Sequence, residues 1–101
     1  MAFKAAFIFI APETDSTIHK AVINAPVVQL HTVGVKNYQE AVTGAKDLVA
    51  QGVEAIELCA GFGVEGVAKI KNAVQGKAVV GVVRFDNHPG FNYKSGDDLF
   101  Q

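Results

Sequence analysis

Long apolar runs recur along the chain and are separated by segments of mixed polarity. Residues 3–10 form a run that only Lys4 interrupts, which is typical of a strand buried on both faces. Residues 27–35 are rich in β-branched side chains and predict a second strand. Two further apolar runs, 53–60 and 78–85, predict a third and a fourth strand.

Two of the segments between these strands have helical periodicity. Asn37 is a predicted N-cap, and Glu40 follows three residues later, as in a capping box. Apolar side chains then share one helical face until Gly52, a residue type that suits the position just after a helix. This face comprises Tyr38, Ala41, Val42, Ala45, Leu48 and Val49. A second helix is predicted from about residue 64 to residue 75, ending at Gly76.

Two segments are harder to assign. Residues 17–25 fit a short helix capped by Asp15 or Ser16, but residues 20–24 fit equally well a strand that turns at Ala25-Pro26, and we favour the helix. Residues 86–101 are rich in Gly and Asp, lack periodicity and are predicted to form an irregular tail. The apolar residues of this tail are expected to pack on the core or on a neighbouring subunit. They are Phe91, Tyr93, Leu99 and Phe100.

The order of these elements indicates the fold class. Strands and helices alternate over residues 27–85, which implies parallel pairing with crossover helices. We therefore predict one α/β domain over residues 1–101. It would consist of a small, mostly parallel sheet of at least four strands with two or three helices.

Composition restricts the function classes. Charged residues make up 19% of the 101 residues, below the roughly 25% of typical soluble domains, so we expect a homo-oligomer that covers part of the surface. The net charge is −1 and the basic residues are scattered, which argues against nucleic-acid binding. The N-terminal apolar run is too short for a membrane span and lacks the features of a signal peptide. We therefore expect a cytoplasmic protein without a membrane partner.

Candidate chemistry lies where two predicted strands end, since parallel α/β folds bind ligands at the carboxyl ends of their strands. Glu57 is a carboxylate in an otherwise apolar strand and needs a cationic partner or a raised pKa. Arg84, at the end of the next strand, is the expected partner. The pair would be either a structural ion pair or part of a site in which Glu57 orients a ligand or exchanges protons.

The glycine-rich turn after the third strand predicts an anion site. Gly61, Phe62 and Gly63 open a helix whose first amides lack partners within the helix. A turn that needs positive φ would explain the glycines equally well. With Arg84 as a cationic clamp and Asp86 beside it, these five residues are the candidate ligand-binding set.

A nucleophile and a base are also present near these strand ends. Cys59 precedes the helix, where the helix dipole lowers a thiol pKa, although a lone cysteine in an apolar strand is more commonly a small buried hydrophobe. His88 is the nearest candidate base. Glu57, Cys59 and His88 are therefore the candidate catalytic residues. The histidines lack metal-ligand spacing and the glycine pair lacks a complete nucleotide fingerprint, so neither a metal nor a cofactor is predicted.

Several of these segments together resemble a family of small bacterial and archaeal proteins known only as a domain of unknown function. The resemblance covers nearly the whole chain. It rests on residues 4–9, on Val33-Gly34-Val35 with the capped helix after it, and on Val80-Gly81-Val82-Val83. Its most specific part is Glu57-Leu58-Cys59-Ala60-Gly61-Phe62-Gly63. The resemblance implies the strand and helix order and a cytoplasmic setting, and it implies no catalytic residues.

These observations lead to two functional hypotheses. In the first, the protein binds, and in one version turns over, a small anionic metabolite at the carboxyl ends of the strands. In the second, it is a non-enzymatic oligomeric module in which the Glu57–Arg84 pair is structural.

Overall fold

All four predicted strands are present, and a fifth strand joins them in one sheet. The computed structural model describes residues 2–101. Its strands are β1 (Phe3–Ile10), β2 (Lys20–Asn24), β3 (Val28–Val35), β4 (Ala55–Leu58) and β5 (Val79–Val82). Its helices are α1 (Tyr38–Ala50), α2 (Val64–Val74) and α3 (Gly96–Leu99), with a 3-10 turn at Pro89–Phe91. The predicted α/β class, the mostly parallel sheet and the number of helices are confirmed.

The strand order β2-β3-β1-β4-β5 places α1 and α2 on the same side of the sheet. The connections β3–α1–β4 and β4–α2–β5 both move the chain in the same direction across the sheet. Because parallel crossovers have one preferred hand, both helices pack on one surface. We call this surface the helix face. Its centre is β1, whose Ala6, Ile8 and Ile10 are buried beneath the helices.

No helix packs on the other surface of the sheet within residues 2–101, and we call this surface the open face. Its members follow from the strand registers, because residues paired across neighbouring strands, parallel or antiparallel, point to the same side. They are Phe3, Ala5, Phe7, Phe9, Ala21, Ile23, Val28, Leu30, Thr32, Gly34, Ala55, Glu57, Val79 and Gly81. At one corner, the side chains of Thr14 and Phe9 cover Gly34.

The helix favoured for residues 17–25 is wrong, because this segment contains β2. Asp15 does accept hydrogen bonds from the amide and the hydroxyl of Thr17, but this local turn ends at once. From Lys20 the chain pairs antiparallel with β3, in a register that sets Val22 opposite His31. Tertiary pairing therefore overrides a local signal that was equally compatible with a helix.

The start of α1 agrees with the sequence except for one side chain. The Asn37 Oδ1 accepts the Glu40 amide at 2.9 Å, as expected of an N-cap. The Glu40 carboxylate does not complete a capping box. It accepts the amides of Ser16 at 3.1 Å and Lys36 at 3.3 Å, and so ties the β1–β2 connection to the helix.

The tail after residue 85, expected to be irregular, contains two short helical turns and part of the core. Phe100 is buried, and its ring lies 5.4 Å from that of Phe91 and 6.5 Å from that of Tyr38. Tyr93 and Leu99 remain exposed. The tail therefore packs back on the carboxyl end of the sheet through two of its four large apolar residues.

Candidate functional site

The two predicted site segments do meet at the carboxyl edge of the sheet. β4 and β5 pair in parallel, and the Val83 amide donates to the Leu58 carbonyl just beyond the paired residues. The turn into α2 and the start of the tail are consequently neighbours. The contacts made there differ from those expected from the sequence.

The first amides of α2 are occupied by the protein's own side chains. Asp97 accepts the amides of Glu65 and Gly66, each at 3.2 Å, with its two carboxylate oxygens. The Tyr38 hydroxyl accepts the Gly63 amide at 3.0 Å and donates to Asp97 at 2.8 Å. These three amides are therefore not free for an external anion, because Asp97 is the anion that binds at this helix end.

Three glycines allow the close contacts on which the position of Asp97 depends. A Cβ on Gly63 would overlap the Asp97 carboxyl group, and one on Gly66 would overlap the Tyr38 ring. A Cβ on Gly96 would overlap the Gly61 carbonyl oxygen. Gly63 has φ −78°, so the alternative explanation from positive φ is wrong for this residue. The glycines serve close approach rather than backbone conformation.

Burial controls the electrostatics of Tyr38. Its side chain stacks on Phe62 with ring centroids 5.7 Å apart, and only 2% of the residue is exposed. This desolvation raises the pKa of the phenol well above its ordinary value, and donation to the Asp97 carboxylate raises the pKa further. The Gly63 amide acts in the opposite direction because it stabilises the phenolate. Tyr38 therefore stays a neutral hydrogen-bonding link, and Phe62 is a core residue.

The predicted Glu57–Arg84 pair does not form. Glu57 is exposed on the open face, whereas its strand neighbours Ile56 and Leu58 are buried under the helices. Arg84 instead donates from its Nε to the Asp86 carboxylate at 2.8 Å. Both partners of this ion pair are about 70% exposed, with side-chain values of 70% and 69%. The error arose because β4 is covered on one face only, so its carboxylate needs no buried cation.

Cys59 is held in the structure by backbone groups. It is half-buried, and its Sγ accepts the amides of Ile10 and Gly61, each at 3.3 Å. The thiol thus links the end of β1 to the turn after β4. This contact agrees with the hypothesis of a structural cysteine.

His88 belongs to the tail and has a capping role there. Its Nδ1 accepts the Gly90 amide at 2.9 Å at the start of the 3-10 turn. Its ring packs between those of Phe91 and Phe85, with centroids 4.4 Å and 5.1 Å away. Among residues 2–101, no hydrogen bond joins His88 to Cys59, so the predicted nucleophile–base pair is not assembled.

A cavity of about 240 Å³ lies beside this region, between the end of β5 and the start of α2. Arg84 and Asp86 lie at its polar side, together with Ser95 and Gly63. The rest of the lining is apolar. It consists of Phe62, Val64, Val67, Val82 and Phe85. Four of the five predicted ligand-binding residues therefore line one cavity, and Gly61 does not.

No group of three or more His, Cys, Asp or Glu side chains within residues 2–101 is arranged to hold a metal ion. No helix among these residues is long and apolar enough to cross a membrane.

The residues that sequence reasoning missed are Tyr38 and Asp97. The sequence pattern indicates only a core position for Tyr38 and a place in the irregular tail for Asp97. One signal was present in the sequence. The N-cap of α2 is Gly63, which has no side chain, so any carboxylate or hydroxyl that caps this helix must come from elsewhere.

Comparisons with known proteins place the chain in a family without assigning an activity. No curated protein and no solved structure matches it. A family model described as a family of unknown function, DUF6506, matches residues 3–98. This match covers nearly all of the chain, including every strand and both long helices. The chain belongs to the DUF6506 family.

Proposed function

We propose that the protein binds a small anionic metabolite in the cavity between β5 and α2. The observation that carries this proposal is the position of Arg84, the only arginine in the chain, at the polar side of a mostly apolar cavity. Small-molecule sites commonly combine an apolar lining with a few polar groups that orient the ligand. The ligand class is thus a carboxylate or phosphate with a compact apolar body.

The contact between Arg84 and Asp86 leaves the guanidinium able to bind such a ligand. Asp86 uses only the Nε of Arg84. The two terminal nitrogens carry the remaining four of the five N–H donors, in the planar arrangement that suits a carboxylate or phosphate. Asp86 therefore orients the guanidinium without occupying the edge that would receive the ligand.

The geometry favours binding over turnover. None of the three candidate catalytic residues lines the cavity: Glu57 lies on the open face, Cys59 contacts backbone amides, and His88 caps the 3-10 turn. A general base must reach the proton that it abstracts, directly or through one water. The hypothesis of turnover by these residues therefore receives no geometric support.

The proposal is tested by NMR titration with benzoate, phenyl phosphate and the neutral analogue benzyl alcohol. We expect the two anions to shift amide signals of Val64, Val67 and Val82 in the wild type. Arg84→Gln should weaken anion binding by at least about tenfold, because it removes charge-assisted hydrogen bonds. The weak binding of benzyl alcohol should be unchanged.

Lys94→Gln is the matched control, since it removes an exposed positive charge in the tail that does not line this cavity. It should bind both anions as the wild type does. The proposal fails if neither anion shifts the cavity signals, or if Arg84→Gln and Lys94→Gln bind equally well.

A further inference from the structure

The open face is the largest feature that neither the core nor the cavity explains. Its strand residues are almost all apolar, and several are well exposed, including Phe3 at 46%, Ile23 at 57% and Val79 at 71%. Glu57 is the only charged residue among its members. The face lies on the opposite side of the sheet from both long helices, so this inference does not depend on the proposed ligand.

An uncovered apolar face is unusual for this type of sheet. Parallel strands occur mainly in sheets that are covered on both faces, and their side chains are accordingly apolar on both faces. Here β1, β3, β4 and β5 are parallel, but residues 2–101 supply helices for one side only. The sequence of β1 is apolar at nearly every position, which is typical of a strand whose two faces are both covered.

We propose that a second copy of this chain covers the open face, so that two sheets pack face to face in a symmetric dimer. Most soluble homo-oligomers have closed symmetry, and a two-fold interface brings the same patch of both subunits together. A patch that is apolar throughout is complementary to itself. The central contacts would come from β1, the middle strand of the sheet, through Phe3 and Phe7.

The size of the face is close to what such a dimer needs. With strands about 4.8 Å apart and a rise of about 3.3 Å per residue, the five strands project about 450 Å². The relief of the side chains adds accessible area to this flat projection. Two such projections total about 900 Å² before this relief is added, close to the roughly 1,000 Å² of total buried area that a specific interface requires. Interfaces of permanent dimers also resemble a protein core cut in half, as this face does.

Charge disfavours a membrane surface as the occupant. A peripheral membrane site combines apolar residues with Lys or Arg that attract anionic lipids. The open face has the apolar residues, but no Lys or Arg is among its strand residues. Glu57 would oppose such lipids. In a dimer it is tolerated, because Gly81 beside it on β5 leaves open space through which the carboxylate reaches the sheet edge and water.

Sedimentation equilibrium of the full chain tests the proposal. We expect the wild type to be a dimer at about 10 μM. Ile23→Lys places a charge on an exposed position of the open face and should raise the dimer dissociation constant about 100-fold, because each substitution occurs twice in a symmetric interface. Adding Phe3→Lys should give a monomer. Both positions are partly exposed already, so circular dichroism should show an unchanged fold.

Two control variants separate the open face from other surfaces. Ile18→Lys changes an isoleucine that is more exposed than Ile23 and lies in the β1–β2 connection, outside the open face, so it should leave the dimer intact. Tyr93→Lys tests the tail, whose apolar residues were expected to pack on the core or on a neighbouring subunit, and should also leave the dimer intact. The proposal is overturned if the wild type is a monomer, or if Tyr93→Lys dissociates the dimer while Ile23→Lys does not. Sedimentation with anionic phospholipid vesicles gives a further test. The proposal also fails if the wild type binds these vesicles and the open-face variants do not.

Discussion

The two long helices begin in different ways, and the difference explains which parts of this protein are readable from its sequence. At α1, the cap is the adjacent residue: Asn37 accepts an amide three residues later. At α2, the adjacent residue is Gly63, and the cap comes from Asp97, which accepts the amides of Glu65 and Gly66 from more than thirty residues away. Each cap accepts amides of the first helical turn that have no partner within the helix. Only the second also fixes the tail to the start of α2.

The Asp97 cap does more than accept two amides of α2, because its carboxylate is charged and also bonds a side chain of another helix. Asp97 also accepts the Tyr38 hydroxyl, and Tyr38 in turn accepts the Gly63 amide. Tyr38 is the first residue of α1, so this network joins the starts of both helices to α3. Loss of one member should therefore affect three elements, whereas loss of Asn37 should affect one.

The largest expected effect is that of Asp97→Ala. It removes two amide contacts and the partner of a buried phenol, so the free energy of unfolding should fall by about 2–4 kcal/mol. Urea denaturation measures this change. Asp98→Ala removes the same charge from an exposed neighbour and should change stability by less than about 0.5 kcal/mol. Equal losses in the two variants would mean that net charge, and not the cap, is responsible.

Gly63→Ala should be the next most destabilising change, by about 1–3 kcal/mol, because the new methyl group overlaps the Asp97 carboxyl group. The overlap predicts coupling: in the Asp97→Ala background the same substitution should cost much less. Gly44→Ala is the control. Apart from its two chain neighbours and the backbone of its own helix, no atom lies within 4 Å of its Cβ position in the middle of α1, so the substitution should stabilise the protein by about 0.5–1 kcal/mol. Additive losses in the double variant would exclude the close approach as the cause.

Tyr38→Phe should cost about 1–2 kcal/mol at neutral pH, since it removes one donor and leaves the Gly63 amide without its acceptor. Tyr93→Phe, at an exposed position, should cost nothing measurable.

The same pair of variants gives a pH test. Because the folded pKa of Tyr38 is raised, its contribution to stability is fully present below the ordinary phenol pKa of about 10 and declines as the pH rises above it. In that range the unfolded phenol loses its proton while the folded one keeps it. The difference in unfolding free energy between wild type and Tyr38→Phe should therefore shrink above about pH 10. A difference that stays constant up to pH 11 would show that the phenol is not held neutral.

The smallest expected effect belongs to the local cap. Asn37→Ala should lower the free energy of unfolding by about 1 kcal/mol, and Asn37→Asp should retain most of the stability, because it keeps the accepting oxygen. Hydrogen exchange of the tail should not change in Asn37→Ala, but it should accelerate in Asp97→Ala. Faster exchange of residues 96–100 in both variants would remove the distinction between local and distant caps.

The sequence alone determined the elements whose signals are short-range. The apolar runs predicted β1, β3, β4 and β5, and periodicity with Asn37 predicted α1, because strand burial and helix capping act over a few residues. It also indicated correctly that the segments around Gly61 and Arg84 lie side by side, since parallel strands present their carboxyl ends at one edge.

Only the tertiary structure decided which groups meet at that edge and which face of the sheet is covered. The sequence predicted that an anionic group binds at the start of α2. That this group is Asp97, and not an external anion, depends on how the tail folds back. The position of Glu57 depends on both helices packing on one side, which follows from the strand order and not from the composition of β4. Contacts between residues far apart in the chain are set by topology, and local propensity carries no information about them.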